Sequence, residues 1–241
     1  MTLAGRTVLI TGSARRIGHS LALAVARAGG DVVLHFWTSR AEAESTRHEI
    51  EALGRRVVLL QADLADADQA AGLVARAAKD GPLYALVNNA AIFENLTWET
   101  TRTEDWERHL RINLTAPFLL SQAFARALPA GEGGRIVNLL DWRALRPGPD
   151  HLPYTVSKAA LAALTRSLAA ALAPRISVNG LALGAVLPPV DREVGDSPLA
   201  SVPAGRWRPL EEVDQALIFL LDGPAPVTGE IIHLDGGRHL V

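Results

Sequence analysis

Short runs of apolar, largely branched residues alternate along the chain with longer stretches in which apolar positions recur every three or four residues. The runs Thr7–Thr11, Asp31–Phe36, Arg56–Gln61, Leu83–Asn88, Gly134–Leu140, Ile176–Leu181 and Glu230–Leu234 predict seven strands. Helices are predicted over about 16–28, 40–53, 66–79, 103–128, 154–173 and 211–221. The strand runs are nearly continuous in Val, Ile and Leu, which is the pattern of strands buried on both faces. Strand and helix in this alternation predict an α/β fold, a doubly wound parallel sheet of about seven strands with helices on both faces. Two segments break the rhythm, Asp141 to Pro153 and Leu187 to Pro209. In an open α/β sheet the ligand lies at the carboxyl ends of the strands, so both segments are candidate walls of a site.

Composition narrows the possibilities. At 241 residues, 49% apolar and 21% charged, the chain suits one large domain. It has no cysteine, which excludes disulfides, thiolate metal sites and a cysteine nucleophile. Lys plus Arg number 24 against 26 Asp plus Glu, and the basic residues are scattered, so no nucleic-acid partner is expected. No uninterrupted apolar run is long enough for a membrane span. The first strand begins within a few residues of Met1, which leads us to expect a cytoplasmic protein. The seven His residues are dispersed, with no pair at metal-ligand spacing on one helix, so no metal site is expected.

The first predicted strand runs into Thr11-Gly12-Ser13-Ala14-Arg15-Arg16-Ile17-Gly18 and then a helix. Gly12 suits a tight turn, Ser13 and Ala14 keep the backbone accessible, and a helix N-terminus offers free N–H groups to a pyrophosphate. An acidic residue ending the second strand would read the ribose 2′-hydroxyl of NAD. Here that stretch offers His35, Ser39 and Arg40 instead, a set suited to a 2′-phosphate, so the expected cofactor is NADP(H). Asp63 and Leu64 after the third strand, and Asn88-Asn89-Ala90-Ala91 after the fourth, fall where adenine and ribose would rest. Tyr154 and Lys158 are four apart on one helix face, and an ammonium beside a phenol lowers its pKa and makes it a usable acid or base. Asn113 is a polar residue inside an otherwise apolar helix.

Together, Thr11-Gly12…Ile17-Gly18, Asn88-Asn89-Ala90, Asn113, Tyr154-x-x-x-Lys158 and Thr228-Gly229…Asp235-Gly236-Gly237 resemble the classical short-chain dehydrogenase/reductases over essentially the whole length. The resemblance implies a single Rossmann-type domain, 1–241, with a cofactor half at about 1–130 and catalytic and substrate loops at about 131–210. It implies proton transfer by Tyr154, a nicotinamide ribose held by Lys158, and a proton-relay water ordered with Asn113. Gly184 and Val186 would lie on the nicotinamide side, and a homotetramer is the implied assembly.

Departures from the family pattern point further. Thirteen residues before the Tyr, where the family has Ser, stands Asp141, which prefers ring N–H or amino donors to a carbonyl oxygen. The family's middle glycine is replaced by Arg16. Both changes, and His35, resemble the pteridine reductase branch, including the dihydromonapterin reductases. In that branch an aromatic residue four beyond the Asn stacks on the pterin, a place taken here by Phe93; packing of Phe93 on the core is the alternative. Arg16, Phe93, Asp141 and Tyr154 are thus the expected substrate contacts. Two features depart from the branch as well: Leu183-Gly184 where the family has Pro-Gly, and Thr38 where the branch has Arg. Trp142 and Arg143 face either the site or a subunit interface.

The expected activity is NADPH-dependent hydride transfer to the C=N bond of a pterin-like or dihydrofolate-type ring. A carbonyl or 3-oxoacyl reductase is one alternative, for which Asp141 would have to be protonated. A non-catalytic dinucleotide-binding sensor or scaffold is the other, disfavoured by the intact proton-transfer set.

Overall fold

A computed structural model describes residues 2–184, 186 and 202–241. Seven parallel strands form one sheet: β1 (Thr7–Ile10), β2 (Asp31–Phe36), β3 (Val57–Gln61), β4 (Ala85–Asn88), β5 (Gly134–Asp141), β6 (Ile176–Leu183) and β7 (Ile231–Leu234). Their spatial order is β3-β2-β1-β4-β5-β6-β7. The chain therefore winds outward in one direction from β1 to β3 and in the other from β4 to β7, and the switch between β1 and β4 opens a crevice at the strands' carboxyl ends. Among the described residues seven α-helices connect them: α1 (Arg16–Arg27), α2 (Arg40–Ala52), α3 (Ala67–Ala77), α4 (Thr103–Leu110), α5 (Ala116–Ala127), α6 (Leu152–Leu172) and α7 (Leu210–Asp222).

Both sheet faces are buried, as the unbroken apolar runs require. Val8, Ile10, Val32, Leu34, Val87, Val137 and Leu181 pack on one side against Leu21, Val25, Ile50, Val213 and Leu217 from α1, α2 and α7. Their neighbours in the strands, Leu9, Val33, Leu86, Ile136 and Val178, face the opposite core with Leu73, Leu120, Phe124 and Ala169. The period of two along each strand thus divides its side chains between two cores. Buried side chains of this interior form a ladder: Asn88 Nδ2 donates to Asn138 Oδ1 at 2.8 Å, and Asn138 Nδ2 to Thr165 Oγ1 at 2.9 Å. That ladder fixes β4, β5 and α6 relative to one another, because breaking it would strand a buried amide.

One predicted element differs. The single helix expected over 103–128 is interrupted by a π-helical turn, Arg111–Thr115, between α4 and α5. Pro117 lies in the first turn of α5 and has no N–H, so the Asn113 carbonyl cannot receive the usual donor four residues on. The chain passes through this point on a wider turn closed by Ala116 N–H on the Arg111 carbonyl. No helix among the described residues is long and apolar enough to cross a membrane. The expected wall segment 187–209 lies outside the described residues as far as 201.

Candidate active site

The loop after β1 and the start of α1 form the floor of a groove of about 520 Å³ over the switch point, lined among others by Gly12, Arg15, Arg16, Ile17, Gly18, Asp63, Leu64 and Ala90. Gly12 has φ +63°, a left-handed turn natural to glycine. A Cβ at Gly18 would lie 2.2 Å from the Gly12 carbonyl oxygen and 2.7 Å from Asn89 Nδ2, so loop and helix approach too closely for any side chain. Asn89 Nδ2 donates to the carbonyls of Thr11 and Gly12 at 2.8 and 3.1 Å, and Thr11 Oγ1 accepts from the N–H groups of Asn89 and Ala90, both at 3.0 Å. The ends of β1 and β4 are thereby locked together beneath the groove. The residue before α1, Arg15, places no side chain on the first-turn N–H groups, and no acidic residue lies in that turn. An anionic pyrophosphate fits such a helix start. Arg16 holds φ +55°, the backbone state glycine prefers, at the position where the family has its middle glycine. Its side chain borders both this groove and the neighbouring cavity.

His35 requires a correction. It is 2% exposed; Gly12 N–H donates to its Nδ1 at 3.1 Å, which leaves the proton on Nε2, 3.2 Å from the Ala62 carbonyl oxygen. Burial lowers its pKa to about 4. The ring is a neutral brace between the phosphate loop and the end of β3, not a cationic ligand for a 2′-phosphate. Trp37, Thr38 and Ser39 line the groove beside it. Arg40 stands outside that lining, with Nη2 3.1 Å from Gln61 Oε1 and its guanidinium 5.2 Å from the Phe36 ring centre.

Next to the groove lies a cavity of about 570 Å³ bordered by Arg16, Phe93, Asp141, Tyr154, Lys158, Gly184 and Val186. Asp141 ends β5, and Tyr154 and Lys158 stand one turn apart on α6, where Pro153 in the first turn starts the helix. Tyr154 Oη donates to Asp141 Oδ2 at 3.2 Å, and the Arg143 N–H donates to Asp141 Oδ1 at 2.8 Å. Lys158 Nζ donates to the Leu139 carbonyl at 2.6 Å. Burial lowers the Lys158 pKa to about 8, against the pull of Asp141. The expected lowering of the phenol is not met here. Burial first, and the Asp141 charge second, push Tyr154 well above the usual phenol range, so it holds its proton. Burial likewise raises Asp141, opposed by its bond from Arg143.

Phe93 is half exposed and lies on the wall itself, its ring stacked 4.1 Å from His151 and edge-on to Tyr154 at 4.6 Å. Trp142 and Arg143 also line this cavity, the first of the two alternatives left open for them. Asn113 is brought close but not into it. Fully buried in the π-helical turn, it exchanges two hydrogen bonds with Ile92, at 2.9 and 3.0 Å, and donates to Ser157 Oγ at 3.1 Å. Its side chain holds the loop carrying Phe93 against α6. Asn95, His151, Trp207 and Arg238 join the lining without any pattern in the sequence that marks them.

This geometry agrees with what the chain resembles. Residues 6–198 match the model of the short chain dehydrogenase family. A 3-oxoacyl-[acyl-carrier-protein] reductase of a Synechocystis species is 31% identical over 98% of this chain and 97% of its own length. A gluconate 5-dehydrogenase of Gluconobacter oxydans is 32% identical over 98% and 95%. Among solved structures, FolM alternative dihydrofolate reductase 1 from Brucella canis, complexed with NADP, superposes with a TM-score of 0.92 at 36% identity, over 100% of this chain and 97% of that one. A short chain dehydrogenase from Burkholderia cenocepacia in complex with NADP gives 0.93 at 35% identity, over 99% of each. The protein belongs to the short-chain dehydrogenase family, oxidoreductases that work with a nicotinamide cofactor.

Proposed function

We propose that the protein is an NADPH-dependent reductase of pterin-like bicyclic rings, dihydropterins and dihydrofolate-type compounds, working in the cytoplasm as a homotetramer. The observation that carries this reading is the Tyr154–Asp141 hydrogen bond at the cavity wall. A carboxylate beside the proton donor repels a substrate oxygen and accepts from ring N–H and amino groups. Phe93 offers a flat partner to a bicyclic ring, and the FolM structures are relatives whose chemistry would suit this cavity.

Bound NADPH supplies the hydride, to the carbon of a ring C=N bond. Tyr154 keeps its proton at Oη on the cavity wall, from where it would donate to the adjacent ring nitrogen, and Asp141 orients that hydroxyl. Lys158, anchored on the Leu139 carbonyl, places a positive charge where a ribose hydroxyl is to be held. The first-turn N–H groups of α1 would meet the pyrophosphate. Just beyond β2, where an acidic residue would read the ribose 2′-hydroxyl of NAD, the groove is lined by Trp37, Thr38 and Ser39, none of them a carboxylate, which favours a 2′-phosphate.

Arg40 is exposed, and an exposed charge pair contributes only about 0.2–1 kcal/mol. Arg40→Ala should therefore weaken NADPH binding by up to about fivefold and leave NADH unchanged. Equal losses for the two dinucleotides, read by fluorescence titration, would remove Arg40 from the 2′-phosphate site.

A carbonyl or 3-oxoacyl reductase is the second reading. It is supported by the curated relatives and by the burial that favours a protonated Asp141, which would donate to a carbonyl oxygen. Following NADPH oxidation at 340 nm with dihydrobiopterin, dihydromonapterin, dihydrofolate, acetoacetyl-CoA and simple ketones separates the two. Turnover of the dihydropterins in preference to the carbonyl compounds is expected, and the reverse order would establish the second reading.

A further inference from the structure

The far wall of the substrate cavity carries a guanidinium that forms no ion pair among the described residues. Arg238, in the C-terminal turn Arg238–Leu240, lies over the Trp142 ring at 4.1 Å from its centre, and Arg143 lies 4.8 Å from the same ring. Trp142 is thus flanked by two cations. Arg143 has its anion, with Nη2 3.1 Å from Asp150 Oδ2. The Arg238 guanidinium has neither hydrogen bond nor ion pair among the described residues, and the Nε atoms of both arginines are buried without a partner.

The nearby carboxylates are all engaged elsewhere. Asp235 accepts from the Gly237 and His239 N–H groups at 3.0 and 2.9 Å and faces His239 Nδ1 at 2.7 Å. Asp150 is shared by Arg143 and His151, and Asp141 by Tyr154 and the Arg143 N–H. A half-buried guanidinium whose Nε has no partner favours an anion that meets it, and its planar edge matches an oxyacid with two oxygens. Burial first, then the neighbouring Arg143 charge, disfavour its charged form, against the more distant pull of Asp141, Asp150 and Asp235, and an incoming anion would offset that cost.

We propose that Arg238, stacked on Trp142 beside Arg143, binds a carboxylate or phosphate group carried by the substrate on an arm extending from its reacting ring. This inference rests on the reading of the cavity as the substrate site, and it narrows the substrate class to anionic molecules. It makes Arg238 a specificity-determining residue, outside the Tyr154–Asp141 hydrogen bond.

The test is calorimetric binding to the NADP⁺-saturated protein. Pterin-6-carboxylate and 6-hydroxymethylpterin phosphate are each compared with neutral 6-hydroxymethylpterin, and 4-acetylbenzoate with acetophenone. The anionic member should bind at least about tenfold more tightly, as one charge-assisted contact implies. Whichever of the carboxylate and phosphate pterins shows the larger gain identifies the anion. Arg238→Ala should reduce the preference to within about twofold while neutral ligands keep their affinity, and Arg238→Lys should restore part of it. An anion preference seen only in the ketone pair would overturn the pterin reading and leave the anion site standing. Tight pterin binding with no anion preference, or with a preference untouched by Arg238→Ala, would overturn the anion site and leave the pterin reading standing. Absence of any anion preference in all pairs would also overturn it.

Discussion

Tyr154→Phe is expected to reduce turnover by roughly 10²–10⁴-fold, the usual worth of a positioned general acid, while leaving NADPH affinity within about twofold. The phenyl ring keeps its edge-on packing with Phe93 at 4.6 Å, so the fold has no reason to change; only the proton at Oη and its bond to Asp141 are lost. The pH dependence follows from the same site. Because the phenol is held well above its usual range, it remains a donor through neutral and moderately alkaline pH. Lys158, lowered to about 8, is the group that loses charge first as pH rises. Reduction should accordingly decline above about pH 8 through weaker cofactor binding. Stopped-flow turnover and separate cofactor titrations across pH 6–10 check both points; an alkaline fall in the hydride step with unchanged cofactor affinity would assign the titration elsewhere.

Gly18→Ala should be nearly as damaging, by a different route. The added methyl would meet backbone at 2.2 Å, the Gly12 carbonyl oxygen, and Asn89 Nδ2 at 2.7 Å, so the phosphate loop must move away from α1. Losing two charge-assisted hydrogen bonds to pyrophosphate, at about 1.5 kcal/mol each, corresponds to roughly a hundredfold weaker NADPH binding. Overpacking of this kind adds about 1–3 kcal/mol of destabilisation. Gly72 in α3 is the control: nothing lies within 4 Å of its Cβ position, so Gly72→Ala should stabilise the helix by up to about 1 kcal/mol and leave cofactor binding intact. Cofactor titration and thermal unfolding of the two variants test the contrast. Wild-type affinity in Gly18→Ala would show that the loop has room the structure does not display.

Periodicity alone was enough to place all seven strands and most helices, because each buried strand needs a compact apolar run and each helix a single apolar stripe. The π-helical turn at Arg111–Thr115 was not visible that way. Its apolar spacing differs from an α-helix by one residue, and the missing Pro117 donor matters only once Asn113 is fastened to Ile92 and Ser157. Tyr154 and Lys158 were legible because their spacing is local to one helix face, and Asp141 through the family resemblance, which marks the position thirteen residues before the Tyr. His35 was legible as a residue near the cofactor but not as a neutral brace, since its state depends on Gly12 and Ala62, 23 and 27 residues away. Trp207 reaches the cavity from just before α7 and Arg238 from the C-terminal turn, and no local pattern distinguishes them from ordinary surface residues.

The choice between a ring nitrogen and a carbonyl oxygen as the protonated atom rests on Asp141, and the most direct test is the ratio of kcat/KM for dihydromonapterin to that for a simple ketone in wild type and Asp141→Ser. A serine hydroxyl donates to a carbonyl oxygen and cannot match a carboxylate in accepting from ring N–H and amino groups. One such contact to a charged group is worth about 1.5–3 kcal/mol, so the ratio should fall by at least about tenfold in the variant, with dihydropterin activity lost and ketone activity kept or raised. A ratio unchanged by the substitution would contradict the role of Asp141 and with it the pterin reductase account.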